Sequence, residues 1–430
     1  MAVAGERIDT GHHVNRYVQL AVLTLAAGGI YPLIYLRQNF EVSILESFGI
    51  TIGQLGQCYA MLGVIFVATY LPSGWLADRI RPRWLMSFSL AATGLLGIWF
   101  STMPSFGALL VIFAGWGIAT GLTFWAALIK AVAVLARPEE QGRFFGLLDG
   151  GRGLVEAILA SIAVALFAWL LGSLDWSISE SLTMVIWLYV LVTLILSPAV
   201  IFIVDDGGDD DGAVVEDTAG RSVWRDLGVI GSKLELWLAA FCITAGYQLF
   251  WATYSFSGYM QNIYGMTAVT VGSITVAKLW MRPIGAVAAG FMGDRYNREI
   301  VLGLLLAAGS VSLAAMIVLP LDAGPGVLLA LVLVIGFLTY AIRGIFWATL
   351  ESCGIPDRIK GLAIGVMSLV GYSPDIYLPL LNGALLERFP GKTGYSIYFG
   401  LIVLAGFLGA GAAWWLHRRV SRRPPAGMRG

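Results

Sequence analysis

Long apolar stretches parted by short polar segments run along this 430-residue chain, at 18–46, 52–75, 84–102, 106–131, 143–171, 181–203, 234–258, 267–291, 300–319, 326–351, 361–386 and 395–416. A bilayer core about 30 Å thick needs about 20 apolar residues per helix, so the pattern predicts twelve membrane-spanning helices. The first stretch runs from Val18 to Leu36 without a charge and then meets Arg37. It follows a polar Met1–Arg16 and lacks a small-residue cleavage site, which reads as a retained span and not a signal peptide.

The polar segments are as informative as the apolar ones. After span six the chain reads DDGGDDDGAVVEDTAG, an acidic glycine-containing stretch with the character of a flexible linker. It divides the sequence into 1–203, a linker at 204–233, and 234–430. The two sides repeat each other. GWLADRIRPR at 74–83 is answered by GFMGDRYNRE at 290–299, FWAALIK at 124–130 by FWATLES at 346–352, and GRFFG at 142–146 by GLAIG at 361–365. The offsets of 216, 222 and 219 residues are nearly constant, so a six-helix unit has been duplicated. Nineteen of the 27 Lys and Arg residues fall at the termini and in the even-to-odd loops, against Arg388 and Lys392 on the other side. This positive-inside bias puts both termini in the cytoplasm.

Composition agrees with a lipid-embedded chain. Hydrophobic residues make up 58% and charged residues 13%, where a soluble chain has about a quarter charged. The net charge is zero, which gives no field to attract nucleic acid. Cys58, Cys242 and Cys353 lie scattered in apolar stretches, with neither metal-ligand nor disulfide spacing. His12, His13 and His417 fall outside the spans, so no catalytic cluster and no cofactor is implied. The stretch LLDGGRGL lacks the Gly-Lys-Ser/Thr of a nucleotide loop. The partners expected are a small-molecule solute and the lipid bilayer, and the chain is expected to work as a monomer.

The loop GWLADRIRPR resembles the signature of the major facilitator superfamily, with Gly74, Asp78, Arg79 and Arg83 at its motif positions and Arg81 replacing a glycine. Asp294 and Arg295 match in the second copy. The resemblance covers the whole chain and implies an all-α membrane protein of two pseudo-symmetric six-helix bundles, with the motif acting as a conformational latch. YLRQNF followed by GWLADRIRPR is similar, more narrowly, to the organophosphate:phosphate antiporter branch. That likeness implies that the first helix continues past Arg37, which then faces the central cavity as an anion ligand. The branch has a second arginine in span seven, where this chain has Gln248 and Leu249. Anion transport is therefore implied more strongly than phosphate-ester exchange.

Charges within spans normally face a cavity or a partner. Five central cations, Arg37, Arg152, Lys278, Arg282 and Arg343, stand against three central acids, Asp149, Glu156 and Asp375. The surplus predicts an anionic solute, and the acids are candidate proton carriers. Arg152 and Glu156 have the i, i+4 spacing of a structural pair, and Lys130 that of an anchor near the end of span four. Tyr31, Tyr35, Trp251 and Tyr254 offer hydroxyls and flat faces to a solute. Pro374 beside Asp375 predicts a local break in span eleven. The sequence thus reads as a secondary carrier of a sugar phosphate, sugar acid or related organic anion in the cytoplasmic (inner) membrane. The alternatives are a drug/proton efflux pump and a neutral sugar/proton symporter of the same fold.

Overall fold

The computed structural model describes residues 14–137, 140–205, 223–356 and 359–422. Most of the acidic linker falls outside the described residues. Among the described residues the helices group into twelve spans, several of them in pieces. The first, α1, comprises Arg16–Gly29, Tyr31–Ile34 and Arg37–Phe48. Next come α2 (Ile52–Arg79), α3 (Pro82–Ser101) and α4 (Phe106–Gly117 and Trp125–Leu135, joined by a π-helical turn). The first half closes with α5 (Gln141–Ser173) and α6 (Ile178–Ile203). A short helix, Val223–Gly231, leads into the second half.

There α7 comprises Leu234–Ala252, Thr253–Ser255 and Phe256–Tyr264, and α8 comprises Ala268–Leu279 and Met281–Arg295. Then follow α9 (Arg298–Val318) and α10 (Pro325–Ile345, Phe346–Ala348 and Thr349–Ser352). The last two are α11 (Lys360–Gly371 and Pro374–Arg388) and α12 (Lys392–Ser421). Eleven of these spans are long and apolar enough to cross a membrane. The exception is α8, broken at Trp280 into pieces of 12 and 15 residues and carrying Lys278 and Arg282 inside.

The duplication runs deeper than the quoted motifs. Gly49 ends α1 with φ 61° and Gly265 ends α7 with φ 62°, both in the left-handed region that glycine enters without a Cβ clash. Two residues later Thr51 and Thr267 cap α2 and α8, accepting from the backbone N–H groups of Gln54 and Thr270. Packing repeats as well. Within the first half α1 packs on α5 and α6, α2 on α4, and α3 on α6. Within the second α7 packs on α11 and α12, α8 on α10, and α9 on α12.

The halves meet along two symmetry-related seams, α2 with α11 and α5 with α8, and where the last piece of α1 packs on α7 and α8. We call the side carrying the 80–81 and 296–297 turns the motif face and the other the far face. Toward the far face the seams are tight. A Cβ on Gly53 would meet the Glu387 carboxylate at 2.4 Å, one on Gly56 the Pro379 carbonyl at 2.4 Å, and one on Gly63 the Asp375 carbonyl at 2.6 Å. Toward the motif face the same four helices splay. Gly74, Gly146, Gly150, Gly290 and Gly365 would each add a Cβ with nothing within 4 Å. The molecule is therefore closed at the far face and open at the motif face.

Candidate functional site

Three polar or aromatic layers succeed one another between the halves. Nearest the opening is a charged cluster on α5, α8 and α10. Asp149, Arg152 and Glu156 share one face of α5, spaced i, i+3, i+7. Arg282 crosses from α8 to this face, with Nη1 2.5 Å from Glu156 Oε2 and Nη2 3.7 Å from Asp149 Oδ1. Gly153 permits the crossing, since a Cβ there would lie 2.8 Å from Arg282 Cδ. Arg152 Nε lies 3.7 Å from Asp149 Oδ1, and its guanidinium sits 5.1 Å over the Trp125 ring. The expected Arg152–Glu156 pair is thus corrected. Glu156 belongs to Arg282, because the contact across the seam reaches it before its own helix neighbour does. Arg343, partly exposed on α10, lies 4.2 Å over Phe250 and 5.8 Å from Tyr247. Among the described residues no carboxylate is within ion-pair distance of it.

The middle layer is aromatic. Tyr35 of α1 stacks on Tyr254 of α7, between the halves, at 5.4 Å and on Tyr59 at 5.9 Å. Tyr31, partly exposed, lies 6.4 Å from Tyr35. Asp375, 4% exposed, accepts through Oδ1 from the Tyr247 hydroxyl at 2.8 Å and from Trp251 Nε1 at 2.6 Å. The break anticipated at Pro374 is present, at Tyr372–Ser373 between the two pieces of α11.

Beyond it, toward the far face, Arg37 is 1% exposed. Its Nη2 lies 2.5 Å from Glu41 Oε2 and its guanidinium 5.2 Å from the Tyr59 ring centre. The helix does continue past it. Glu41 was not among the three acids weighed from the sequence, although its i+4 spacing from Arg37 was there to be read. It reduces the interior surplus to five cations against four carboxylates. Lys278, also 1% exposed, donates from Nζ to Thr253 Oγ1 at 2.9 Å and lies 5.8 Å from the Tyr254 ring. The repeat offset of 216 carries Arg37 onto Thr253. The α8 ammonium therefore reaches the position related by pseudo-symmetry to Arg37, and Lys278 and Arg282 point apart instead of repelling.

At the motif face, Gly74, Asp78, Arg79 and Arg295 are exposed, and the Asp294 side chain lies outside the described residues. Arg79 stacks 4.1 Å over Trp75, while Arg83 is partly exposed at the start of α3. Lys130 donates to the Ala77 carbonyl at 2.7 Å, tying α4 to the last turn of α2. Its counterpart in the repeat, Ser352, bonds the Glu299 carboxylate at the start of α9.

A family model described as Major Facilitator Superfamily matches residues 20–379, and the chain belongs to that family of transporters. It is 29% identical over 414 residues to the inner membrane protein YihN of Escherichia coli K12, covering 95% of this chain and 97% of the relative. It is 22% identical over 419 residues to the D-galactonate transporter of E. coli O6:H1, covering 86% and 90%. The fold is shared with the nucleoside transporter NupG (D323A mutant), with a TM-score of 0.73, 13% identity, and 94% and 100% of the two chains covered. The protein is accordingly a multi-pass transporter of the cytoplasmic membrane for a small-molecule solute.

Proposed function

We propose that the protein carries a small organic anion by alternating access, with residues 1–203 rocking against 234–430. The observation that carries this reading is the distribution of partners among the interior charges. Glu41, Asp149 and Glu156 each lie against an arginine, and Asp375 is held by a hydroxyl and an indole. Arg343 has only rings beside it and Lys278 only a hydroxyl and a ring. A cation at membrane depth without a counter-charge is costly, so an anionic solute is the natural counter-ion.

Arg343, on the open side, is the first contact in this reading, with Arg152 and Arg282 close by on α5 and α8. The opening faces the cytoplasm if the termini lie there, as the charge bias supports. Asp149, Glu156 and Asp375 are the candidates for a coupling proton. The relative that transports D-galactonate supports a sugar-acid solute. A neutral sugar remains the second reading, favoured by the stacked Tyr35, Tyr59 and Tyr254 rings.

Uptake into proteoliposomes separates the two. Radiolabelled sugar acids, sugar phosphates, neutral hexoses and nucleosides are offered with and without a pH gradient. Accumulation of an acid over its neutral analogue is expected, and preference for the hexose or nucleoside would overturn the anion reading.

A further inference from the structure

Behind the aromatic layer lies a buried polar cluster, here the chamber, for which an anion site alone gives no use. Its walls are residues 37–41 of α1 and 253–257 of α7, the two segments that the 216-residue repeat superposes, so it straddles the pseudo-twofold axis between the halves. Both segments are irregular. Phe40 leaves the helix with φ −131° and ψ 32°, and Thr253–Ser255 winds as a 3₁₀ turn. Irregular backbone at membrane depth is found where it is buried in protein or lines a polar cavity.

The Ser257 hydroxyl donates across the interface to the Asn39 carbonyl at 3.3 Å, and the Asn382 amide of α11 donates to Ser255 Oγ. The side-chain oxygens of Asn39 and Asn382 are both buried, and neither accepts a hydrogen bond from any described residue. The two side chains belong to residues 6% and 2% exposed. Glu41 adds carboxylate acceptor capacity, made possible by Gly258, where a Cβ would meet Glu41 Oε1 at 1.9 Å.

Buried acceptors with no protein donor call for a ligand that brings its own donors. A carboxylate or phosphate brings none, and Glu41 already neutralises Arg37. We infer that this chamber is a hydroxyl-recognising subsite, in which the side-chain oxygens of Asn39 and Asn382 accept from the O–H groups of a polyhydroxylated solute. The solute reaches it when the far face opens. The inference deepens the anion reading and rests on it only in leaving the acid group to Arg343.

Binding to the purified full-length protein tests it with three probes: D-gluconate, hexanoate of the same chain length without hydroxyls, and uncharged D-sorbitol. The parent is expected to bind gluconate at least tenfold more tightly than hexanoate. Asn39→Ala and Asn382→Ala should each weaken gluconate by about fivefold, the loss of one neutral hydrogen bond, and leave hexanoate unchanged. Should either alanine variant fail to purify as a monodisperse species, the serine variant at that position is compared in the same direction. Unchanged gluconate affinity in both variants would mean a chamber that holds structural water only, and would overturn the inference. Equal affinity of the parent for gluconate and hexanoate would also overturn it while leaving anion transport standing. Sorbitol bound as tightly as gluconate would remove the anion reading and leave the chamber. A parent that binds none of the three would remove both.

Discussion

Arg37 follows nineteen uncharged residues, and that position alone fits either a boundary anchor or an anion ligand. Its neighbour one turn on decides what it does in the closed chamber. Truncating Arg37 to alanine strands the Glu41 carboxylate in a site 1% exposed, which costs about 3–5 kcal/mol when a buried pair loses one member. Arg37→Ala should therefore lower the thermal unfolding temperature steeply, and Arg37→Ala with Glu41→Ala should recover much of the loss. Additive effects in that cycle would mean that the pair does not act as a unit.

Arg343 has no such partner, so its substitution should be felt by the solute. Arg343→Lys keeps the charge but loses the planar fork. It should weaken binding of a carboxylate solute by about 1.5–3 kcal/mol, roughly tenfold to a hundredfold, with little change in unfolding temperature. Equilibrium binding with the solute found in the uptake panel checks this. Among the acids, Asp375→Asn preserves an acceptor oxygen for Tyr247 and Trp251 while removing the charge. If Asp375 carries the coupling proton, this variant should exchange solute yet no longer accumulate it on a pH gradient. The same assay on Glu156→Gln and Asp149→Asn assigns the coupling if Asp375 is silent.

At the scale of elements, α2 and α11 run as an antiparallel pair that is in contact toward the far face and parted toward the motif face. At the far face the Glu387 carboxylate, at the end of α11, accepts from the Gly53 N–H in the first turn of α2 at 3.0 Å. A carboxylate at a helix N-terminus is worth about 0.3–1 kcal/mol when exposed. Asp78 occupies the matching place at the end of α2, and in this open state it is exposed. The two carboxylates are expected to act with opposite sign. Glu387→Gln should shift the population away from the form open at the motif face by about two- to fivefold, and Asp78→Asn should favour that form by a similar factor. Spin-label distances across each face provide the readout, and shifts in the same direction for both variants would refute the opposition.

These elements were legible in the sequence to very different degrees. The twelve spans could be read because lipid demands long apolar runs, and the duplication because three motifs kept their spacing. Pro32 follows the break in α1 at Ile30, but the interruptions near Leu36 and Thr253 could not be read, since neither carries a proline. Pro374 marked the break in α11. Partnerships across the seam, such as Arg282 with Glu156, depend on which helices face each other. The i, i+4 rule therefore chose the wrong neighbour for Arg152.

For the molecule as a whole, the three layers place an open charged cluster, aromatic rings and a buried polar layer holding Arg37, Glu41 and Lys278 in order along one axis. The sequence conveyed the inventory but not that order, because depth along a helix does not say which side of it faces the partner half. It also left Glu41 out of the sum, and that omission alters a property of the whole carrier. If the five cations and four carboxylates are all charged, the empty protein holds one net positive charge within the membrane, and a bound monoanion taken up without a proton cancels it. Moving a unit charge through the full field costs or yields about 2.3 kcal/mol per 100 mV, and the empty carrier moves its charge through part of that field. The membrane potential then acts on the return of the unloaded carrier and passes over the loaded one. In vesicles clamped with a potassium ionophore, net uptake should change with the imposed potential. Exchange, with solute on both sides and no empty return, should stay flat. Net uptake that ignores the potential would place the surplus charge outside the electric field, and exchange that responds to it would mean that the loaded carrier is charged as well. The pair between Arg37 and Glu41, one turn apart on a single helix, thereby helps set which half of the transport cycle is electrically driven.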